Sequence, residues 1–140
     1  MARKFALTGL LRLRSIQQRE AAERLSRASI TARQTEARDR QARAALASTG
    51  TEAVDVRTLA AIAASRVAAR SQLAELTNLA DVHNRERDEA EREHTRAKRN
   101  EKSIEKLEQA HVKRERADEL RAEQAVLDEI ATTRWKEPEQ

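Results

Sequence analysis

From Val54 to Trp135 the chain contains neither a glycine nor a proline. A run of that length without a helix breaker, built largely of alanine, arginine, glutamate and leucine, favours one long helix over any arrangement of strands and turns. Upstream, the stretch from about Lys4 to Ala47 is interrupted only by Gly9, and Ser48-Thr49-Gly50-Thr51 is the single strong break. Asp55 or Thr51 can cap the helix that follows. The expected architecture is therefore all-α, a long antiparallel two-helix coiled-coil hairpin with unequal arms. One domain spans residues 1–140, with a helix over about 4–47, a turn over about 48–54, a helix over about 55–135 and a frayed tail over 136–140 that contains Pro138. The longer arm would extend roughly 120 Å at about 1.5 Å per residue.

Composition agrees with a narrow seam rather than a globular core. Charged residues make up 37% of the chain and aromatic residues 1%, so apolar surface can be buried only along a stripe. The two signs nearly balance and the apolar residues recur in register, which favours helix over disorder. On the first arm, three- and four-residue steps pick out Leu7, Leu11, Arg14, Gln18, Ala21, Leu25, Ala28, Ala32, Thr35, Asp39, Ala42 and Leu46 as a thin, alanine-rich seam. The second arm carries Leu59, Ile62, Val67, Leu73, Leu76, Ala80, Ala90, Ala97 and Ile104. Its register then drifts to Leu107, Ala110, Ala117, Leu120, Gln124, Leu127 and Ala131, with Ile130 alongside. Pairs of opposite charge four residues apart, Glu20 with Arg24, Glu23 with Arg27, Glu36 with Arg40, Asp81 with Arg85 and Asp88 with Arg92, reinforce helix by about a few tenths of a kcal/mol each.

If Ala47 and Val54 face each other across the turn, equal rise places Leu7 opposite the His94–Ala97 turn. Everything from about Lys98 to Trp135 then lacks a partner within the chain, and its apolar stripe invites another protein or a second copy.

Chemistry-bearing patterns are sparse. The three histidines, His83, His94 and His111, are separated by 11 and 17 residues, not the three or four that place two ligands on one helical face. They read as seam or solvated residues. Asp128 and Glu129 are sequence neighbours that diverge around a helix, so a charged face is the plainer reading than an acid–base pair. No phosphate loop, nucleophile elbow or Ser/His/Asp arrangement is present, and we expect no catalytic site, cofactor or metal. The chain lacks cysteine and has no run of about 18 apolar residues that could span a membrane. Its net charge of +4 is mild and interspersed, and aromatic residues are not interleaved with the basic ones, which argues against nucleic acid. The N-terminus remains double-sided. Arg3, Lys4, Arg12, Arg14 and Arg19 accompany Phe5, Leu7, Leu10, Leu11, Leu13 and Ile16 with no acid before Glu20, a pattern shared by partner-facing helices and by helices on anionic membranes.

The ends of the chain carry a resemblance. Lys102-Ser103-Ile104-Glu105-Lys106-Leu107-Glu108, then Arg121-Ala122-Glu123-Gln124 and Leu127-Asp128-Glu129-Ile130-Ala131-Thr132-Thr133-Arg134, look like the closing segment of the FliJ family of the bacterial flagellar protein export apparatus. Phe5-Ala6-Leu7-Thr8-Gly9-Leu10-Leu11-Arg12-Leu13-Arg14 is similar to that family's opening. The stretch from about Arg27 to Glu101 matches in pattern alone. The resemblance implies a soluble, non-enzymatic export component, cytoplasmic and at the cytoplasmic face of the cell membrane. Such a protein binds and activates the hexameric export ATPase and contacts the export gate and export chaperones. Carried over to matching positions, it makes Lys102, Lys106, Leu107, Gln124, Leu127, Asp128, Glu129 and Arg134 candidate partner contacts. Leu59 and Ile62, near the expected hairpin tip, are candidates for the gate. A stalk protein of a virulence-type secretion system and a generic scaffold with a membrane-surface N-terminus stay open as alternatives. Peripheral contact with the inner membrane and homodimer formation also stay open.

Overall fold

The computed structural model describes residues 5–135, and these contain two long α-helices packed against each other and no strand. Helix α1 spans Thr8–Ser48 and helix α2 spans Val56–Trp135. The expected tail over 136–140, with Pro138, and the basic residues Arg3 and Lys4 lie outside the described residues.

The helix boundaries follow from local chemistry. Helix α1 begins at Thr8 rather than near residue 4 because Phe5, Ala6 and Leu7 offer no capping side chain. Thr8 donates both its hydroxyl and its amide to Phe5 O, at 2.7 and 3.2 Å, so a turn from Phe5 satisfies the first helical amide, and Leu7 O accepts from Leu11 N at 2.9 Å. At the other end, the hydroxyls of Ser48 and Thr49 both donate to Ala45 O, at 2.9 and 3.1 Å, and the Thr49 amide donates to Leu46 O at 3.3 Å, which supplies donors to two of the last orphan carbonyls. Gly50 contributes less than its identity suggests. It does not adopt a positive φ, and a Cβ added there would meet nothing within 4 Å. Asp55 is the cap of α2: its Oδ1 accepts from the amide and from the hydroxyl of Thr58, both at 2.7 Å. These bonds hold the Asp55 carboxyl below its ordinary range.

Contact density divides the chain into two compact units, Gln18–Ala97 and Met1–Gln17 with Lys98–Gln140. In the first, the covered positions on α1 run Gln18, Ala21, Leu25, Ala28, Ala32, Thr35, Asp39, Ala42, Leu46, the seam read from the sequence. On α2 they run Ile62, Arg66, Ala69, Leu73, Leu76, Ala80, His83, Arg87, Ala90, His94, Ala97, again in alternating steps of three and four. Only Ala21, Ala32 and Thr35 are fully buried, so close approach of small side chains, not bulk, makes the contact. Residue numbers fall along α2 as they rise along α1. Gln18 meets His94 at 3.2 Å, Thr35 meets His83 at 2.8 Å, Asp39 meets Thr77 at 3.3 Å, and Arg66 donates to Thr49 O at 3.3 Å.

These pairs correct the expected offset between the helices. Arg66, not Val54, stands level with the end of α1, so the first turns of α2 run past that end; the loop climbs before α2 begins. Gln18 takes the place opposite His94 that equal rise from the turn assigned to Leu7. Val67 is likewise not in the seam, being 68% exposed.

In the second unit, Phe5 packs its ring against His111, with centroids 5.6 Å apart. Covered positions on α2 continue through Glu101, Ile104, Glu108, His111 and Glu115 without a change of step. The expected drift at Leu107 is therefore not a shift of the seam. Leu107 is 47% exposed, and from Asp118 to Arg134 every residue is exposed. The stretch expected to lack a partner from Lys98 onward is shorter at its near end, because Glu101 to Glu115 is half covered at regular steps.

Candidate functional site

The strongest candidate is the outer face of α2 between Leu107 and Arg134. Its helix is helped locally by Arg121 with Asp118 at 3.0 Å, while near its end the hydroxyls of Thr132 and Thr133 turn back to donate to Asp128 O and Glu129 O at 2.7 Å. Leu120, Val126, Leu127 and Ile130 are each more than half exposed there. Continuing the α1-facing steps beyond Glu115 gives Asp118, Ala122, Ala125, Glu129 and Thr132, which are mostly polar or small. The large apolar residues fall off that line, so this segment is not patterned as an extension of the seam. Val126, Glu129, Ile130, Thr133 and Arg134 line one shallow surface hollow, and Ala122, Glu123, Val126 and Leu127 another.

The structure brings Leu127, Glu129 and Arg134 to this stretch, with Gln124 and Asp128 exposed alongside. Lys102, Lys106 and Leu107 are exposed nearer the middle of α2. Of the two tip residues, Leu59 is 56% exposed while Ile62 is half-buried. Val54 and Val56, which the sequence reading passed over, are more exposed still.

A second feature is a run of polar side chains inside the seam, where the sequence reading sets Gln18, Thr35 and Asp39 without pairing them with residues of α2. Asp39 accepts from Arg43 Nε at 2.8 Å and lies 3.3 Å from the Thr77 hydroxyl. The Arg43 hydrogen bond, aided by its charge and by Thr77, holds the Asp39 carboxyl below its ordinary range against the opposing effect of burial. The Thr35 hydroxyl has Thr31 O at 3.0 Å and His83 Nδ1 at 2.8 Å, so the contact with His83 survives in either imidazole tautomer. On the exposed flanks of the seam Arg24 reaches across to Glu93 on α2 at 3.5 Å rather than to Glu20, Asp88 pairs with Arg87 at 2.9 Å rather than with Arg92, and Glu23 pairs with Arg27 at 3.7 Å as the spacing predicts. Two buried polar atoms, Arg66 Nε and Asn84 Oδ1, have no hydrogen-bond partner. All three histidines occupy covered positions. Their separations of 11 and 17 residues, awkward for metal ligands, are those reached by strictly alternating three- and four-residue steps along the covered line of α2.

Among the described residues, no group of three or more His, Cys, Asp or Glu side chains converges as a metal would require. No helix among them is long and apolar enough to cross a membrane. Comparison with family models, with curated proteins and with solved structures gives no match to this chain.

Proposed function

We propose that this chain is an antiparallel coiled-coil hairpin with unequal arms that serves as a non-enzymatic component of a bacterial flagellar type III export apparatus. In this reading it is a soluble cytoplasmic protein working at the inner face of the cell membrane. It binds and activates the hexameric export ATPase and contacts the export gate and chaperones. The observation that carries the proposal is the continuous exposure of α2 from Asp118 to Arg134. That segment carries four large apolar side chains and contains two of the three stretches, Arg121 to Gln124 and Leu127 to Arg134, that resemble the FliJ family's closing segment. Apolar surface left uncovered at such length on a charged helix favours docking on another protein. A hairpin of paired helices suits the task physically, since it can enter a ring and transmit asymmetric contact without unfolding.

The test is swimming and export of flagellar substrates in a strain lacking the gene, complemented with the parent chain, Leu107→Asp or Leu127→Asp. Both leucines are exposed, so the variants should keep their helix content while losing complementation. Normal swimming in the deletion strain ends the flagellar assignment. Defective virulence-type secretion in that strain would instead favour the related stalk protein.

One observation favours a second reading, a scaffold with a membrane-surface N-terminus. Arg12, Ile16 and Arg19 share a face of α1, Leu13 lies beside it, and all four are exposed. Co-sedimentation with anionic vesicles decides it: binding lost on deleting residues 1–19, with ATPase binding unchanged, supports this reading over the first.

A further inference from the structure

The inference drawn here rests on the hairpin reading above and concerns what fixes its register. Within Gln18–Ala97 the small apolar residues discriminate poorly between alignments. Both helices repeat at seven residues, so sliding one past the other by a heptad returns alanine to alanine: Ala28, level with Ala90 between the Arg24–Glu93 and Thr35–His83 contacts, would meet Ala97 instead. The Asp39 contact discriminates little better, because the same slide offers Asp39 either Asn84 or Arg70 in place of Thr77. The Gln18–His94 contact discriminates on one side only: a slide sets His94 against Leu25 or Leu11, but offers the half-buried Gln18 either Glu101 or Arg87. The Thr35–His83 contact is different. Thr35 is 2% exposed, and a slide by a heptad in either direction places Ala90 or Leu76 opposite it and Ala42 or Ala28 opposite His83. Both slides leave the half-buried imidazole without a polar partner from α1.

We propose that Thr35 and His83 form the register key of the hairpin, a polar pair whose role is to select one alignment out of several that the alanine seam would otherwise accept. Leaving a covered ring nitrogen unsatisfied disfavours the slid alignments by roughly tenfold to a hundredfold. A stalk that transmits position along its length needs this single alignment.

The absence of native cysteine allows a direct test. Three paired substitutions report three alignments under mild oxidation at low protein concentration: Ala28→Cys/Ala90→Cys for the observed one, and Ala28→Cys/Ala97→Cys and Ala21→Cys/Ala90→Cys for the two slides. In the parent background only the first pair should crosslink within one chain. Adding Thr35→Val/His83→Leu should raise crosslinking of a slid pair at least tenfold, whereas Asp39→Leu/Thr77→Val should not. If the Thr35→Val/His83→Leu chain loses helix, His83→Ala takes its place with the same expectation. Failure of the Ala28→Cys/Ala90→Cys pair to crosslink in the parent overturns the hairpin reading and this inference with it. Crosslinking there, with slid pairs still silent after the key is removed, overturns the inference alone.

Discussion

Replacing Ala32 with leucine puts the close approach of the two helices to a quantitative test. Ala32 is 1% exposed, the least accessible hydrophobic residue in the seam, one turn from the Thr35–His83 contact. Leucine adds three carbon groups. Were there room for them, burial at about 0.8 kcal/mol each would stabilise the pair by roughly 2 kcal/mol. An alanine so fully enclosed by a facing helix leaves no such room. The added carbons must then displace backbone or neighbouring side chains, at a cost of about 1–3 kcal/mol, and the hydrophobic gain is not realised. For a chain of this size the change corresponds to a fall in melting temperature of about 3–15 °C. Thermal and urea melts followed by helical circular dichroism read it directly, with Ala44→Leu, on the exposed side of α1, as the control for helix propensity. An Ala32→Leu chain that melts at or above the parent would refute the close-packed seam.

Gly50→Ala should leave stability unchanged or raise it by about 0.4–1 kcal/mol, because the position needs no positive φ and has space for a methyl group; a marked loss in a urea melt would show that the turn requires glycine after all. Gly9→Ala, inside α1 with open space around it, should add helix and about 0.5–1 kcal/mol, read as a higher melting temperature. Acid should weaken the hairpin through Asp39 and Asp55. Both carboxyls sit below their ordinary value of 3.8, so their contributions are present above that pH and disappear as pH falls through the depressed values. Asp39→Asn should flatten the acid limb of stability against pH, and an unchanged limb would remove Asp39 from the account. On the proposed function, Leu127→Asp should abolish binding to purified export ATPase while leaving the melting temperature within about 2–3 °C of the parent, since the residue is already 65% exposed.

The two-helix plan was legible because it depends on local rules. Absence of glycine and proline from Val54 to Trp135, the Asp55 cap with Thr58 three residues on, and the three-four spacing from Gln18 to Leu46 all act within one helix. Much of the candidate surface was legible for the same reason, since Leu127 and Ile130 can be recognised as apolar residues on a charged helix before any partner is known.

What the sequence determined, then, is which segments are helical and which face of α1 seeks cover, because periodicity and capping are properties of consecutive residues. Only the packing of α1 against α2 decided the offset between them. That offset in turn sets how far the loop climbs before Asp55, since it brings Arg66 rather than Val54 level with Thr49, and no local pattern encodes that distance. The same packing decided which polar residues count as seam: His83 and His94 read equally as seam or solvated until Thr35 and Gln18 arrive from 48 and 76 residues away. Burial is a relation between two surfaces, and one helix read alone supplies only half of it.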